Sequence, residues 1–197
     1  ARTVSSWYAA SISAGSRVDV YGGTVLIATA GLGPTRTWEQ LTSSPLQGRS
    51  VISFRDVTAT CTATGSTLAA SFRFSEQCGI VNSTLELISS SFVARTAGTA
   101  TSIGFHDRSR IADGSLMCVR NASFEARATA VTADAFGVSV TSQSPVSDSA
   151  WSVSNVTIDV DGGQNAAAIS FDVGCPMSRS SLVVNESSTV IARGGLS

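Results

Sequence analysis

One small motif returns four times along the chain, and its surroundings return with it. Asn-x-Ser/Thr stands at Asn82, Asn121, Asn155 and Asn185, with intervals of 39, 34 and 30 residues. Two earlier segments fit the same frame with Gly22 and Asp56 in the Asn place, and the intervals from Gly22 to Asp56 to Asn82 are 34 and 26 residues. Repetition at such periods means that one supersecondary unit is stacked many times.

The frame around that place is regular. Two residues before it stand Val20, Phe54, Ile80, Val119, Val153 and Val183, all apolar. Four before it stand Val18, Ile52, Cys78, Met117, Trp151 and Ser181. Three after it stand Val25, Ala59, Leu85, Phe124, Ile158 and Ser188, and five after it Ile27, Cys61, Leu87, Ala126, Val160 and Val190. Two after it every residue carries a hydroxyl: Thr24, Thr58, Thr84, Ser123, Thr157 and Ser187.

The inward positions are therefore even before the motif and odd after it. A strand cannot change parity without a break, because a shift of one residue moves every side chain to the other face. The chain must bend at this place, and Asn, Asp and Gly are the residues that tolerate the left-handed backbone such a bend needs. Each unit reads as strand, bend, strand.

Composition agrees. Lys is absent, Glu appears five times, and Ser plus Thr account for 54 of 197 residues. Short alternations such as Val18-Asp19-Val20 and Ile158-Asp159-Val160 are strand-like. Breaks at Gly22-Gly23, Ser144-Pro145 and Asp161-Gly162-Gly163 separate them. The chain is all-β. Further strands are expected at residues 68–74, 103–106, 137–140 and 168–173. Three strands, one tight bend and two looser loops per unit describe one coil of a right-handed parallel β-helix. Six coils at about 4.8 Å each give a rod roughly 29 Å long. A β-sandwich also has strands and alternation, but it does not need one turn residue to recur in frame.

A bend asparagine between two strands resembles the asparagine ladder of right-handed parallel β-helices of the pectate-lyase type. The matching positions are Asn82, Asn121, Asn155 and Asn185, with Asp56 and Gly22 as departures. The Lys-free, Ser/Thr/Val/Ala-rich texture resembles the dispersed-gene-family surface proteins of trypanosomes. These resemblances imply a solenoid fold and a cell-surface or secreted setting.

Two readings of the four asparagines stay open. As Asn-x-Ser/Thr sequons they are acceptors for N-glycans in a secreted protein. As a ladder they would stack inside the bend and satisfy buried backbone groups. Recurrence in frame, with Asp and Gly as substitutes, favours the ladder. The hydroxyl row is expected to face outward, but carboxylates at Glu86, Glu125 and Asp159, two residues further on, spoil a flat ice-binding array. Cys61 and Cys78 fall on inward positions of consecutive coils and are a candidate disulfide, with free core thiols as the alternative. Cys118 and Cys175 lie two coils apart, beyond ordinary disulfide reach.

Candidate catalytic chemistry is thin. His106 is the single histidine and stands at a strand end, and no Gly-x-Ser-x-Gly elbow is present. Asp159 and Asp161 faintly resemble a calcium loop but lack the remaining ligands, and no Cys-x-x-Cys supports a zinc site. No catalytic or metal residue and no cofactor is assigned. A formal net charge of −1, with 13 basic and 14 acidic residues, argues against nucleic acid. No apolar run is long enough for a membrane helix.

The expectation is a single segment, 1–197, of a longer secreted or cell-surface chain with a structural or adhesive role. Loops 107–114, 143–148 and 174–180 are expected to vary in length and carry partner specificity. The partners expected are carbohydrate or a cell-surface protein, with head-to-tail self-association through the end coils. The alternative is a carbohydrate-active enzyme or carbohydrate-binding module on the same scaffold, or a filament subunit.

Overall fold

A computed structural model describes residues 5–8, 12–30, 34–41, 45–65, 68–172, 174–185 and 187–194. Among them there is no helix, and every strand pairing is parallel. The chain is a parallel β-solenoid of five complete turns and the start of a sixth, built on three sheets.

Sheet A stacks Ser5–Tyr8, Thr35–Leu41, Leu68–Phe74, Thr99–Phe105, Ala135–Val140 and Ala166–Phe171. Sheet B is a column of two-residue strands at Leu46–Gln47, Ile80–Val81, Ile111–Ala112, Val146–Ser147 and Met177–Ser178. Sheet C wraps two sides of the rod. Arg17–Thr29 and Val51–Ala63 run unbroken across its bend. Later turns split there into pairs such as Leu116–Arg120 and Ser123–Ala128. Each turn runs B, C, bend, C, A.

The parity reversal is present. Around Asn121, Met117 and Val119 are buried before the bend, and Ala122, Phe124 and Ala126 after it. Around Asp56 the same holds for Ile52 and Phe54, then Val57, Ala59 and Cys61. The bend residues Gly22, Asp56, Ser89, Asn121 and Asn155 all have left-handed backbones, with φ of 58°, 57°, 50°, 51° and 50°.

Two further left-handed corners recur from turn to turn among the described residues. Between B and C they fall at Asn82, Asp113, Asp148 and Arg179, with φ of 47°, 59°, 48° and 46°. Between A and B they fall at Gln77, Arg108 and Gln143, with φ of 68°, 66° and 61°.

At these corners the chain leaves its neighbour's hydrogen-bond ladder, and serine hydroxyls fill the gap. Ser50 N–H donates to Ser83 Oγ at 3.1 Å, and Ser149 N–H to Ser180 Oγ at 3.1 Å. Val57 N–H donates to Ser90 Oγ at 3.1 Å, and Ser109 N–H to Ser144 Oγ at 3.0 Å. In the last rung of that third column the acceptor is Cys175 Sγ, 3.3 Å from Ser144 N. A buried N–H without a partner costs roughly 1–3 kcal/mol, so Ser83, Ser90, Ser144 and Ser180, each just after a left-handed corner, are structural requirements. The interior ladder of this solenoid is serine.

Between the corners the core is apolar and aromatic. Phe74 stacks on Phe105 at 5.0 Å, Phe105 meets Trp151 at 6.3 Å, and Trp151 meets Phe171 at 5.8 Å. Phe54 bridges Trp38, Phe72 and Phe92 with centroids 5.2–6.0 Å away.

The loops expected to vary do so by one residue, at the B-to-C corners, which hold three residues at 48–50 and 113–115 and two at 82–83, 148–149 and 179–180. The A-to-B connections at residues 75–79, 106–110, 141–145 and 172–176 have equal length, and each leads into a sheet B strand. Length varies more in the C-to-A connections, at residues 64–67, 97–98, 129–134 and 163–165. A strand of two residues is too short to show a period in sequence. The strand expected at 168–173 is observed as Ala166–Phe171, and Val173 lies outside the described residues.

Candidate functional site

The motif asparagines do not form one column. Register places Asn121 and Asn155 at the sheet C bend, in line with Asp56 and Gly22. Their equivalent in the third turn is Ser89, because Ile88 pairs with Arg120 and Arg55. Asn82 belongs to the B-to-C corner, where its N–H donates to Ala112 O at 3.0 Å and its carbonyl accepts from Arg49 N–H at 2.6 Å. Asn185 is the last residue of strand Ser181–Asn185 and pairs with Ser154, one place before the bend. The sixth bend is one residue longer, and the left-handed residue there is Ser187, φ 61°.

All four asparagines are exposed. The expectation of side chains stacked inside the bend is therefore corrected. The one rung that exists is on the surface, where Asn155 Nδ2 donates to Asn121 Oδ1 at 2.8 Å. The left-handed backbone, not an internal amide stack, is what selects Asn here.

With the register corrected, the outward hydroxyl row is complete: Thr24, Thr58, Ser91, Ser123, Thr157 and Thr189 align across six turns. Thr58, Ser89, Asn121, Ser123, Asn155 and Thr157 line a shallow trough of about 320 Å³ along the bend.

Beside that row lies a chain of ion pairs that steps from turn to turn. Arg95 holds both Glu125 oxygens, at 2.8 and 3.1 Å. Arg127 contacts Glu125 at 2.8 Å, Asp159 at 2.7 Å and Asp161 at 3.2 Å, and Arg193 closes on Asp159 at 2.8 Å. The Arg95 guanidinium, with Arg127 beyond it, holds the Glu125 carboxyl below the usual range. The carboxylates of the faint calcium loop are thus engaged by arginine.

The outer face of sheet A carries a denser charged cluster. Thr35–Leu41, Leu68–Phe74 and Thr99–Phe105 put Glu39, Arg73 and Gly104 in one column and Arg36, Ala70 and Thr101 in the next. Arg36 forks onto Glu39 at 2.9 and 3.1 Å. Glu39 is only 2% exposed. Its burial raises the pKa of the carboxyl, opposed by Arg36 and Arg73. Arg73 reaches the half-exposed Asp107 at 3.4 Å. His106 lies over the same column, with Nδ1 2.6 Å from Thr141 Oγ1. Burial, reinforced by Arg73 and Arg36, drives its pKa down to about 3, so the imidazole is neutral.

Buried ionisable groups of opposite sign with shifted pKa values on one face are a physical mark of a functional site. Sequence reasoning reached His106 but not Arg36, Glu39 or Arg73. A signal was present: Glu39 and Arg73 stand 34 residues apart, the interval that separates Gly22 from Asp56.

The cysteines are unbridged. Cys61 lies in sheet C beside Ala94 and Cys78 at the A-to-B corner, and none of the four cysteines is in a disulfide. The inward frame was right for both, but the two columns lie on different sides of the rod. Burial pushes the Cys61 thiol up to about 12, which makes it unreactive. Cys118 is half-buried and Cys175 buried.

The fold and its corner columns define the chain as a parallel β-solenoid. No family model, no curated protein and no solved structure matches it.

Proposed function

We propose that the chain is a structural and adhesive segment of a secreted or cell-surface protein, rigid along its axis and recognised through its edges and loops. The observation that carries this reading is the outer face of sheet C. Its charges pair with one another across successive turns, from Arg95 to Arg193, and the hydroxyl row beside them is continuous. Such a surface binds its own coils together. The C-to-A connections, which differ in length from turn to turn, are the segments on which partner specificity would sit.

Exposure of Asn121 and Asn155, with Ser123 and Thr157 outward beside them, supports N-glycosylation at one or both. A left-handed bend residue between two strands is also what supports kinship with β-helices of the pectate-lyase type, and the Lys-free, Ser/Thr/Val/Ala-rich texture is what supports kinship with trypanosome surface proteins. The last described turn presents Met177, Val183, Val184 and Val190, 40–54% exposed, beside open strand edges. That end fits head-to-tail association.

Intact-mass measurement of native material before and after enzymatic removal of N-glycans tests the secreted reading. Mass loss at these sequons supports it, and an unmodified polypeptide mass counts against it. Particle length measured against protein concentration tests the self-association.

A carbohydrate-binding role is the second reading, favoured by the uncharged trough of hydroxyl and amide groups along the bend. Incubation with neutral and uronate polysaccharides, followed by sedimentation and assay for new reducing ends, separates binding, cleavage and neither.

A further inference from the structure

Buried polar side chains that lack partners are rare in folded proteins, and each calls for an explanation. Here they crowd on one surface. Among the described residues, Ser75 Oγ, Thr101 Oγ1, Ser139 Oγ, His106 Nε2 and Arg73 Nε are buried with no hydrogen-bond partner. All five belong to the outer face of sheet A or the turn that leaves it. Ser75, Thr101 and Ser139 are at most 1% exposed.

The register shows how they meet. Arg73, Gly104 and Ser139 follow one another in a single column, one per turn. Gly104 has no side chain, and the imidazole fills that place: a Cβ on Gly104 would stand 2.2 Å from His106 Nε2. So His106 Nε2 sits over Gly104, with Arg73 on one side and Ser139 on the other. Thr101 lies in the adjoining column of the same strand as Gly104.

The balance of donors and acceptors is weighted towards donors. Arg73 Nε can only donate. In the tautomer whose Nδ1 accepts the Thr141 hydroxyl, His106 Nε2 carries a hydrogen and donates as well. Each of the three hydroxyls has a hydrogen to donate and lone pairs to accept with. Of the two carboxylates nearby, Glu39 accepts from Arg36 at Oε2 and keeps Oε1 without a hydrogen bond, although Arg36 Nε stands 2.9 Å away, and Asp107 is engaged by Arg73. A surplus of inward-pointing donors beside a buried cation fits a group that brings only acceptors.

We infer that the outer face of sheet A binds a small oxyanion, a carboxylate or phosphate group, held by Arg73, His106 Nε2 and the hydroxyls of Ser139 and Thr101. The Arg36–Glu39 pair stands beside this site and holds its edge. Arg36 and Arg73 each keep 13% side-chain exposure, which gives the cluster a margin in contact with solvent. The site is independent of the adhesive role, and neither stands or falls with the other.

Because His106 is the single histidine, protein labelled with nitrogen-15 in histidine gives one imidazole spectrum. Inorganic phosphate and acetate are titrated separately, against sodium chloride at matched ionic strength. The inference expects a saturable shift of the Nε2 resonance with phosphate or acetate and none with chloride; the anion that binds more tightly identifies the group. Ser139→Ala keeps every charge and is expected to weaken binding about five-fold, as loss of one hydrogen bond of about 1 kcal/mol would. Arg73→Gln is expected to abolish it, and Arg95→Gln, on sheet C, to leave it unchanged. No saturable shift with either anion means that the donors are satisfied by water alone and overturns the inference. An equal response to chloride, or an unaltered response in Ser139→Ala, also overturns it.

Discussion

Acidification of His106 gives the most direct test of the buried charge cluster. The imidazole has a pKa of about 3 in the folded chain against 6.5 for an exposed histidine. Its folded value is depressed, so between these limits the unfolded chain binds a proton that the folded chain refuses. Stability then rises with pH over that window and falls as pH drops through 6.5. One pH unit corresponds to about 1.4 kcal/mol. Lowering pH from 7 to 5 should therefore cost about 2 kcal/mol, from this one residue. Glu39 acts in the opposite sense, because its folded pKa is raised. Its contribution is complete below the unfolded value and is lost as pH rises. A comparison with His106→Gln removes that background, since Glu39 is common to both proteins. Urea unfolding at pH 7 and pH 5 gives the four free energies needed. The wild-type chain should lose about 2 kcal/mol more than the variant over this interval. Equal losses would mean that His106 is solvated and free to charge, and the account of a desolvated cluster beside Arg73 and Arg36 would be wrong.

Three other outcomes follow from the packing. Phe105→Ala removes a ring wedged between Phe74 and Trp151 and should cost about 3–5 kcal/mol in denaturant unfolding. Arg127→Ala breaks contacts to Glu125, Asp159 and Asp161, which are all partly exposed, and should cost about 1–2 kcal/mol, less in high salt. At the corners, Ser83→Ala leaves the Ser50 N–H without its acceptor and should cost about 1–3 kcal/mol, whereas Thr24→Ala, on the exposed row, should change stability by less than about 0.5 kcal/mol.

How far the sequence carries the fold is best seen at Asn82. The parity reversal around it is real: Ile80 is buried before it, and Leu85 and Leu87 after it. Yet Leu85 and Leu87 also stand four and two residues before Ser89, the true bend of that turn. The two corners are seven residues apart, an odd number, so the inward positions that follow one are the inward positions that precede the other. A pattern of alternation cannot distinguish them. The hydroxyl row showed the same ambiguity: Thr84 and Ser187 stood in for Ser91 and Thr189, and in both frames the row is hydroxylic throughout.

Alternation and the recurrence of Asn, Asp and Gly determined the all-β class, the stacked turn and the left-handed bend, because each is a property of a residue and its near neighbours. The charged cluster on sheet A belongs to a different order of fact. Arg36, Glu39, Arg73 and His106 come from three successive turns and are adjacent only once parallel pairing brings those turns about 4.8 Å apart. Their burial, and with it the neutral imidazole and the strained proton balance of Glu39, depends on solvent being excluded from that face. Local sequence fixes which way a side chain points along its own strand; only the register between turns decides which charge it meets and whether water is there to screen it.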